Sequence, residues 1–241
     1  MNPLLKIKNV SKSFGGFTAL SNVSLDIAEG ERFGLIGPNG SGKTTLINCV
    51  SGALLNESGA IEFDGEDVTR LPAYQRTRRG IARSFQIPRP FHSMTVAENL
   101  AVPLEYVVHK GSLHMADTRA EALALLKQMN LSEKADTPSR NLSQVELRKL
   151  ELARAMAARP RLLISDEAMA GLSGSEVDEV LQILFDLNAR GITIIMIEHI
   201  MQAVMRFSQR VVCLDAGRII CEGAPAEIVK NPEVQRAYLG A

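Results

Sequence analysis

Short apolar runs of strand length alternate with longer stretches of helical period along this chain. "LLKIKNV" (4–10) alternates polar and apolar over part of its length. "ERFGLIG" (31–37) is a compact apolar stretch ending on glycine, and "IEFDGEDV" (61–68) carries an Asp-Gly turn. All three predict strands. "RLLIS" (161–165) and "ITIIMI" (192–197) do not alternate at all, the pattern of parallel strands buried on both faces. "VVCLDAGRIICEG" (211–223) predicts a terminal hairpin.

Helical patterns fall between and beside these runs. "TTLINCVSG" (44–52) predicts a helix closed by Gly52. After the proline-broken loop "PRPFHSM" (88–94), "TVAENLAV" and "MADTRAEALALLKQMNL" are helical in pattern. So is "SQVELRKLELARAMAARP", where Leu147, Leu150, Ala153 and Ala157 share one face. A further helix is predicted at 176–190, between the two unalternated strands. The chain therefore predicts an α/β core, residues 1–86 and 160–241, with a helical insertion at about 87–159. No internal repeat, low-complexity tract or sustained heptad pattern is present.

Composition narrows the function classes. The chain has 241 residues, 46% of them hydrophobic and chiefly aliphatic, which suffices for one large domain with a substantial core. Basic and acidic residues number 27 each, so net charge makes no case for nucleic acid. The basic run "RTRRGIAR" (Arg76, Arg78, Arg79, Arg83) is expected to be solvated. Three cysteines (Cys49, Cys213, Cys221) lie far apart with no CxxC spacing, and reduced thiols of a cytosolic protein are expected. His92, His109, His114 and His199 are scattered, so no zinc site is expected. No segment approaches the roughly 20 apolar residues of a membrane span. "MNPLLKIKNV" has no apolar signal core. Any membrane role must come through a partner.

Two motifs carry chemistry. "GPNGSGKT" (37–44) fits G-x-x-x-x-G-K-[ST] in full, with a strand before it and a helix after. Gly37, Gly40 and Gly42 let the backbone curl around an anion at a helix N-terminus. Pro38, Asn39 and Ser41 complete the loop, and Thr45 follows it; all are candidate nucleotide contacts. Lys43 places a charge on the β- and γ-phosphates, and Thr44 offers a hydroxyl to Mg²⁺. The second motif is "LLISDE" (162–167), at the end of a core strand. Asp166 is the candidate Mg²⁺ carboxylate, and Glu167 the residue that orients or deprotonates an attacking water. Ser165 is polar where such strands are apolar, so it is expected to find a hydrogen-bond partner.

The chain resembles the ATP-binding subunits of ABC transporters along nearly its whole length. "FQ" (85–86) is placed like the family's Q-loop, "LSQVE" (142–146) like its LSGGQ signature, and "EH" (198–199) like its switch histidine. "GIARSFQ", "MTVAENL", "IEHIMQAVM" and the tail "NPEVQRAYLG" are similar to the branched-chain amino-acid transporter ATPases. The resemblance implies a P-loop NTPase (RecA-like) core with an antiparallel β part and an inserted α-helical subdomain. It implies ATP and Mg²⁺ as cofactors. Phe14 would stack on adenine. Gln86 would sense Mg²⁺, water and the membrane partner. His199 would contact the γ-phosphate, and Ser143 would reach a nucleotide across a head-to-tail dimer. Implied partners are transmembrane permease subunits, a second ABC ATPase subunit in a homo- or heterodimer and, indirectly, a solute-binding protein. The implied place is the cytoplasmic face of the inner membrane, with the helical insertion and the 87–94 loop receiving the permease.

The signature departs from the family. Val145 stands at a usual glycine and obstructs close approach of the backbone to a phosphate. Glu146 replaces an amide with a charge, and Ser143-x-x-Glu146 is also a capping box. Ala168 stands where proline usually follows the glutamate, and Ser173 where aspartate or asparagine is frequent. The expectation is a motor subunit that hydrolyses ATP against a partner with a sound signature while offering a weak one in return. Other readings are the ATPase of a soluble assembly or lipid-export complex, and a slow nucleotide-gated binding module.

Overall fold

The computed structural model describes residues 3–109 and 115–239. Met1, Asn2, His114 and the closing glycine of the tail motif lie outside these residues. The chain begins with β1 (Leu5–Phe14) and β2 (Phe17–Ile27), then enters β3 (Arg32–Ile36). Helix α1 (Lys43–Ser51) follows and stops at Gly52, whose φ of 77° is a left-handed conformation that glycine adopts without strain. β4 (Ser58–Phe63) and β5 (Glu66–Asp67) turn over Asp64-Gly65, both at positive φ. Next come α2 (Ala73–Arg78) and β6 (Ile81–Ser84). Helices α3 (Val96–Pro103), α4 (Met115–Gln128) and α5 (Gln144–Ala157) stand between β6 and β7 (Leu162–Asp166). Then follow α6 (Gly174–Ala189), β8 (Thr193–Ile197), α7 (Met201–Phe207), β9 (Arg210–Asp215) and β10 (Arg218–Gly223). Two short helices, α8 (Pro225–Ile228) and α9 (Pro232–Leu239), close the chain.

The strands form two sheets. One is antiparallel, ordered β2-β1-β4-β5, and the other is six-stranded, ordered β10-β9-β3-β8-β7-β6. The second is parallel throughout except for the β9–β10 hairpin at its edge. Its central strands divide their side chains between two cores. Leu162, Ile164, Ile195, Ile197, Val212 and Leu214 pack with α1 and the antiparallel sheet. Leu163, Ile194, Met196, Val211 and Cys213 pack with helices α3 to α7. Both faces are covered, and for that reason these strands show no polar alternation.

The parallel register sets where chemistry can occur. Leu35 lies beside Ile197, and Ile197 beside Asp166, so the loops leaving β3, β8 and β7 emerge side by side. Ligands of open α/β sheets bind at such carboxyl ends.

Two expectations from the sequence are corrected. The run "RTRRGIAR" is not a solvated face: only Arg78 and Arg79 are exposed. Arg76 is fully buried and donates to the carbonyls of Leu71, Cys49, Val50 and Thr69 at 2.6–2.9 Å. It caps the end of α1, where backbone carbonyls are otherwise left over. Arg83 is paired with Asp166. Ser165 is the second correction: its hydroxyl is buried and finds no partner among the described residues. The pattern also gave no sign that α3 continues past Pro103 into a π-helical turn, Leu104–His109.

Candidate active site

The phosphate loop leaves β3 and enters α1 through three glycines at positive φ, Gly37 (148°), Gly40 (80°) and Gly42 (105°). A Cβ at Gly37 would stand 2.1 Å from the Leu214 carbonyl oxygen, and one at Gly42 2.6 Å from that of Ala19. No side chain caps α1, so its first N–H groups face the loop's concavity. Lys43 is buried across that concavity, its ammonium donating to the Gly37 and Pro38 carbonyls at 2.7 and 3.0 Å. Burial lowers its pKa, against Glu167, Cys213 and Asp166, whose charges raise it. The Ser41 hydroxyl is buried without a partner among the described residues. Asn39, Gly40 and Thr44 are exposed at the rim, and Pro38 and Thr45 are half-buried. A buried cation, an uncapped helix start and an unpaired hydroxyl around a glycine cradle fit a polyphosphate. Phe14, at the end of β1, has an exposed ring with Lys12 Nζ 5.3 Å from its centroid.

Glu167 holds a φ of 47°, a strained left-handed conformation for a residue with a side chain. Its N–H donates to Ile197 O at 2.9 Å, which locks the turn to the neighbouring strand. Its Oε1 lies 2.6 Å from His199 Nε2, and its Oε2 accepts from Gln86 Nε2. Three residues from the ends of β6, β7 and β8 thus meet on one carboxylate. Asp166, 6% exposed, accepts at Oδ2 from Arg83 Nη2 at 2.5 Å. Neither acid caps the following helix; that is done at Ser173, whose N–H and hydroxyl both donate to Glu176.

Glu198 was quoted in the sequence only as a neighbour of His199. It is buried, accepts from Met169 N–H at 2.9 Å, and its carboxyl is pushed up to about 7, mainly by burial. An acid closing an all-apolar strand was the available signal. Glu151 was also missed. It is a buried carboxyl of α5, raised in pKa by burial, that accepts from the backbone of Phe85 and Arg89. Arg154 donates to Arg89 O at 2.8 Å and Arg148 to Gln86 O, so α5 grips the 85–89 loop along its length. Tyr238 of α9 reaches back to the phosphate loop, where its hydroxyl accepts from Gly37 N–H at 2.8 Å.

Ser143 lies apart. It N-caps α5: its hydroxyl accepts from Glu146 N–H at 3.4 Å, and its own N–H donates to the Glu146 carboxylate at 2.8 Å. That backbone bond leads the causes that lower Glu146's pKa, and Lys134, 3.4 Å away, adds to it. Val145 is half-buried and packs on the helical core. No hydrogen bond among the described residues joins Ser143 to the phosphate loop, Asp166 or Glu167. The phosphate loop, Asp166, Glu167, Gln86 and His199 meet around one mouth.

Comparison with known proteins places the chain among ATP-binding cassettes. A family model described as ABC transporter matches residues 20–170. A second, described as branched-chain amino acid ATP-binding cassette transporter, matches residues 218–241. The chain is 40% identical to the high-affinity branched-chain amino acid transport ATP-binding protein LivG of Salmonella typhimurium, over 99% of this chain and 98% of the relative. It is 36% identical to the corresponding protein BraF of Pseudomonas aeruginosa, over the same shares. A crystal structure of a nucleotide-free ATP-binding cassette from an ABC transporter superposes with a TM-score of 0.89 at 30% identity, covering 99% of both chains. A dimeric cassette in a post-hydrolysis state, bound to ADP and Pi, superposes with a TM-score of 0.83 at 28% identity, covering 92% of this chain and 98% of that one.

Proposed function

The chain belongs to the ABC transporter family of ATP-binding cassettes, and from that membership we propose that it is the ATP-hydrolysing motor subunit of an importer for branched-chain amino acids or related small carboxylates. The observation that carries the hydrolytic part is the convergence of His199 and Gln86 on the Glu167 carboxylate beside the phosphate loop. The solute class rests on the relatives, whose names state branched-chain amino acid transport.

The roles follow from the chemistry of each group. The loop amides of residues 37–42, with Ser41, Lys43 and Thr45, hold the phosphates. Lys43 lies flat on the loop and needs only a rotation of its long side chain to meet the β- and γ-oxygens. Thr44, Asp166 and Gln86 hold Mg²⁺, which when bound neutralises phosphate charge. Glu167 accepts the proton of the attacking water; a positioned base of this kind is worth roughly 10²–10⁴ in rate. His199 orients Glu167 and contacts the γ-phosphate. Phe14 offers its face to adenine. Ser143 serves the nucleotide of a second ATPase subunit, which accounts for its position away from its own chain's loop.

The partners are that second subunit and transmembrane permease subunits, with a solute-binding protein acting through the permease. The transport role named in the relatives supports a peripheral place on the cytoplasmic face; no helix among the described residues is long and apolar enough to cross a membrane. The helical segment, about 87–159, and the loop gripped by α5 form the face toward the permease.

The test is ATP turnover of the chain alone and with its permease subunits, beside Glu167→Gln. The expected result is low activity alone and strong activity, dependent on Glu167, in the complex. ATP binding without turnover in either setting would overturn the motor reading.

A further inference from the structure

Arg83 belongs to a basic run that the sequence placed at the surface, yet its side chain is 9% exposed. Its guanidinium meets three groups at once. Nη2 donates to Asp166 Oδ2 at 2.5 Å, and Nη1 to Asn48 Oδ1 at 2.6 Å. On the third side its Cζ lies 5.1 Å from the centroid of the Phe85 ring. Asp166 ends β7, Asn48 belongs to the helix that leaves the phosphate loop, and Phe85, 48% exposed, begins the loop that carries Gln86. A cleft of about 410 Å³ joins these places, with Thr44, Asn48, Asp166, Phe85, Ile87 and Arg154 in its lining.

A buried ion pair is weak ground for stability, because desolvation offsets most of its attraction. A planar, rigid fork is instead suited to fixing two partners in one geometry. Arg83 engages one oxygen of Asp166, fixing the carboxylate's rotation. The same plane holds Asn48, so the strand end and the phosphate-loop helix cannot shift independently. The Phe85 ring packs on the guanidinium that makes both contacts.

We propose that Arg83 is a positioning residue for the Mg²⁺ site, holding Asp166 and Asn48 together and transmitting the position of Phe85 in the open cleft to the metal carboxylate. The proposal rests on the reading of Asp166 as a Mg²⁺ ligand given above. Groups that orient metal ligands from behind typically change metal affinity by 10–100-fold when removed.

The experiment is calorimetric ADP binding to the full chain across a Mg²⁺ series and in chelator. It compares the wild type with Arg83→Gln, Arg83→Lys, Phe85→Ala and Asp166→Asn. Arg83→Gln is expected to raise the Mg²⁺ concentration needed for tight binding about tenfold, with Mg²⁺-free affinity within about twofold of wild type. Arg83→Lys keeps the charge but loses the fork, and should fall between the two. Phe85→Ala should shift the Mg²⁺ requirement in the same direction by less. An equal loss with and without Mg²⁺, or an unchanged Mg²⁺ requirement, overturns the proposal. An unshifted Phe85→Ala overturns the transmission from the cleft. If Arg83→Gln does not fold, Arg83→Lys decides by the same criteria. An unchanged Mg²⁺ requirement in Asp166→Asn would instead show that the metal reading has failed, and the proposal with it.

Discussion

The mouth formed by β3, β7 and β8 and the start of α5 are two regions of one proposed reaction, and they are built differently. At the mouth the charged groups are held by others. Glu167 is fixed by its strained backbone, by Ile197 O, by His199 and by Gln86. Lys43 and Asp166 are buried and bonded. At the start of α5, Ser143 is exposed and its hydrogen bonds among the described residues reach only to Glu146 and Leu147, one helical turn along. Val145 leans on the helical core and Glu146 turns to Lys134. A group that acts within its own chain is held by that chain. A group that acts on a partner's nucleotide needs only a sound local shape. On the proposed function, Val145 packs on this chain's own helical core while its effect on catalysis would fall on the partner's site.

The largest expected effect tests the first region. Glu167→Gln should lower turnover by about 10²–10⁴, with ADP binding retained, measured by phosphate release and calorimetry on the same preparation. Residual turnover near wild type would remove Glu167 as the base.

The second region is tested by Val145→Gly in a complex whose partner's site can be followed by itself. On the proposed function, Val145 costs the partner's nucleotide one charge-assisted contact, worth roughly 1.5–3 kcal/mol. Turnover at the partner's site should therefore rise about ten- to a hundred-fold, while this chain's own phosphate loop works as before. No gain at the partner's site would mean that the valine is tolerated, and the asymmetric reading would fall.

A third, smaller effect compares glycines within the mouth. Gly37→Ala forces a side chain against the Leu214 carbonyl, 2.1 Å away, whereas Gly40→Ala meets open space. Gly37→Ala should cost about 1–3 kcal/mol, a fall in Tm of roughly 2–12 °C for a chain of this size. Gly40→Ala should cost less, from its φ alone. Equal Tm values would show that the loop is not held as tightly as Ser143's surroundings are loose.

What the sequence made legible divides along the same line. The phosphate loop could be read because an anion cradle needs glycine, lysine and threonine at local spacing. The buried strands could be read because covered faces remove alternation. Arg76 and Arg83 could not: each is buried by carbonyls or a carboxylate from elements distant in sequence, and nothing in a basic run announces such partners. Ser165 is expected to find a partner and has none among the described residues: beside it in the sheet stand Met196 and Ser84, and the Ser84 hydroxyl donates to the Ile164 carbonyl instead. Glu198 and Glu151 escaped for the converse reason, as acids inside apolar patterns whose backbone donors come from distant segments, Glu151 being paired with Arg154 as well. The capping box at Ser143 was legible because it is purely local, and that same locality hides what Ser143 does for another chain.

The smallest effect separates those two duties of Ser143. Ser143→Ala removes the cap and should destabilise this chain by about 1 kcal/mol, but it also removes the hydroxyl offered to a partner's nucleotide. Loss of turnover in that variant is therefore ambiguous. Ser143→Asp resolves it, because aspartate caps as well as serine and its charge suits a helix N-terminus, while the same charge repels a phosphate. If Ser143 faces the partner's nucleotide, Ser143→Asp should keep the wild-type Tm while turnover at the partner's site falls further than in Ser143→Ala. If Ser143 is only a cap, turnover should follow Tm, and Ser143→Asp should behave as wild type in both. In that case the start of α5 would be ordinary surface, and its contrast with the mouth would carry no catalytic meaning.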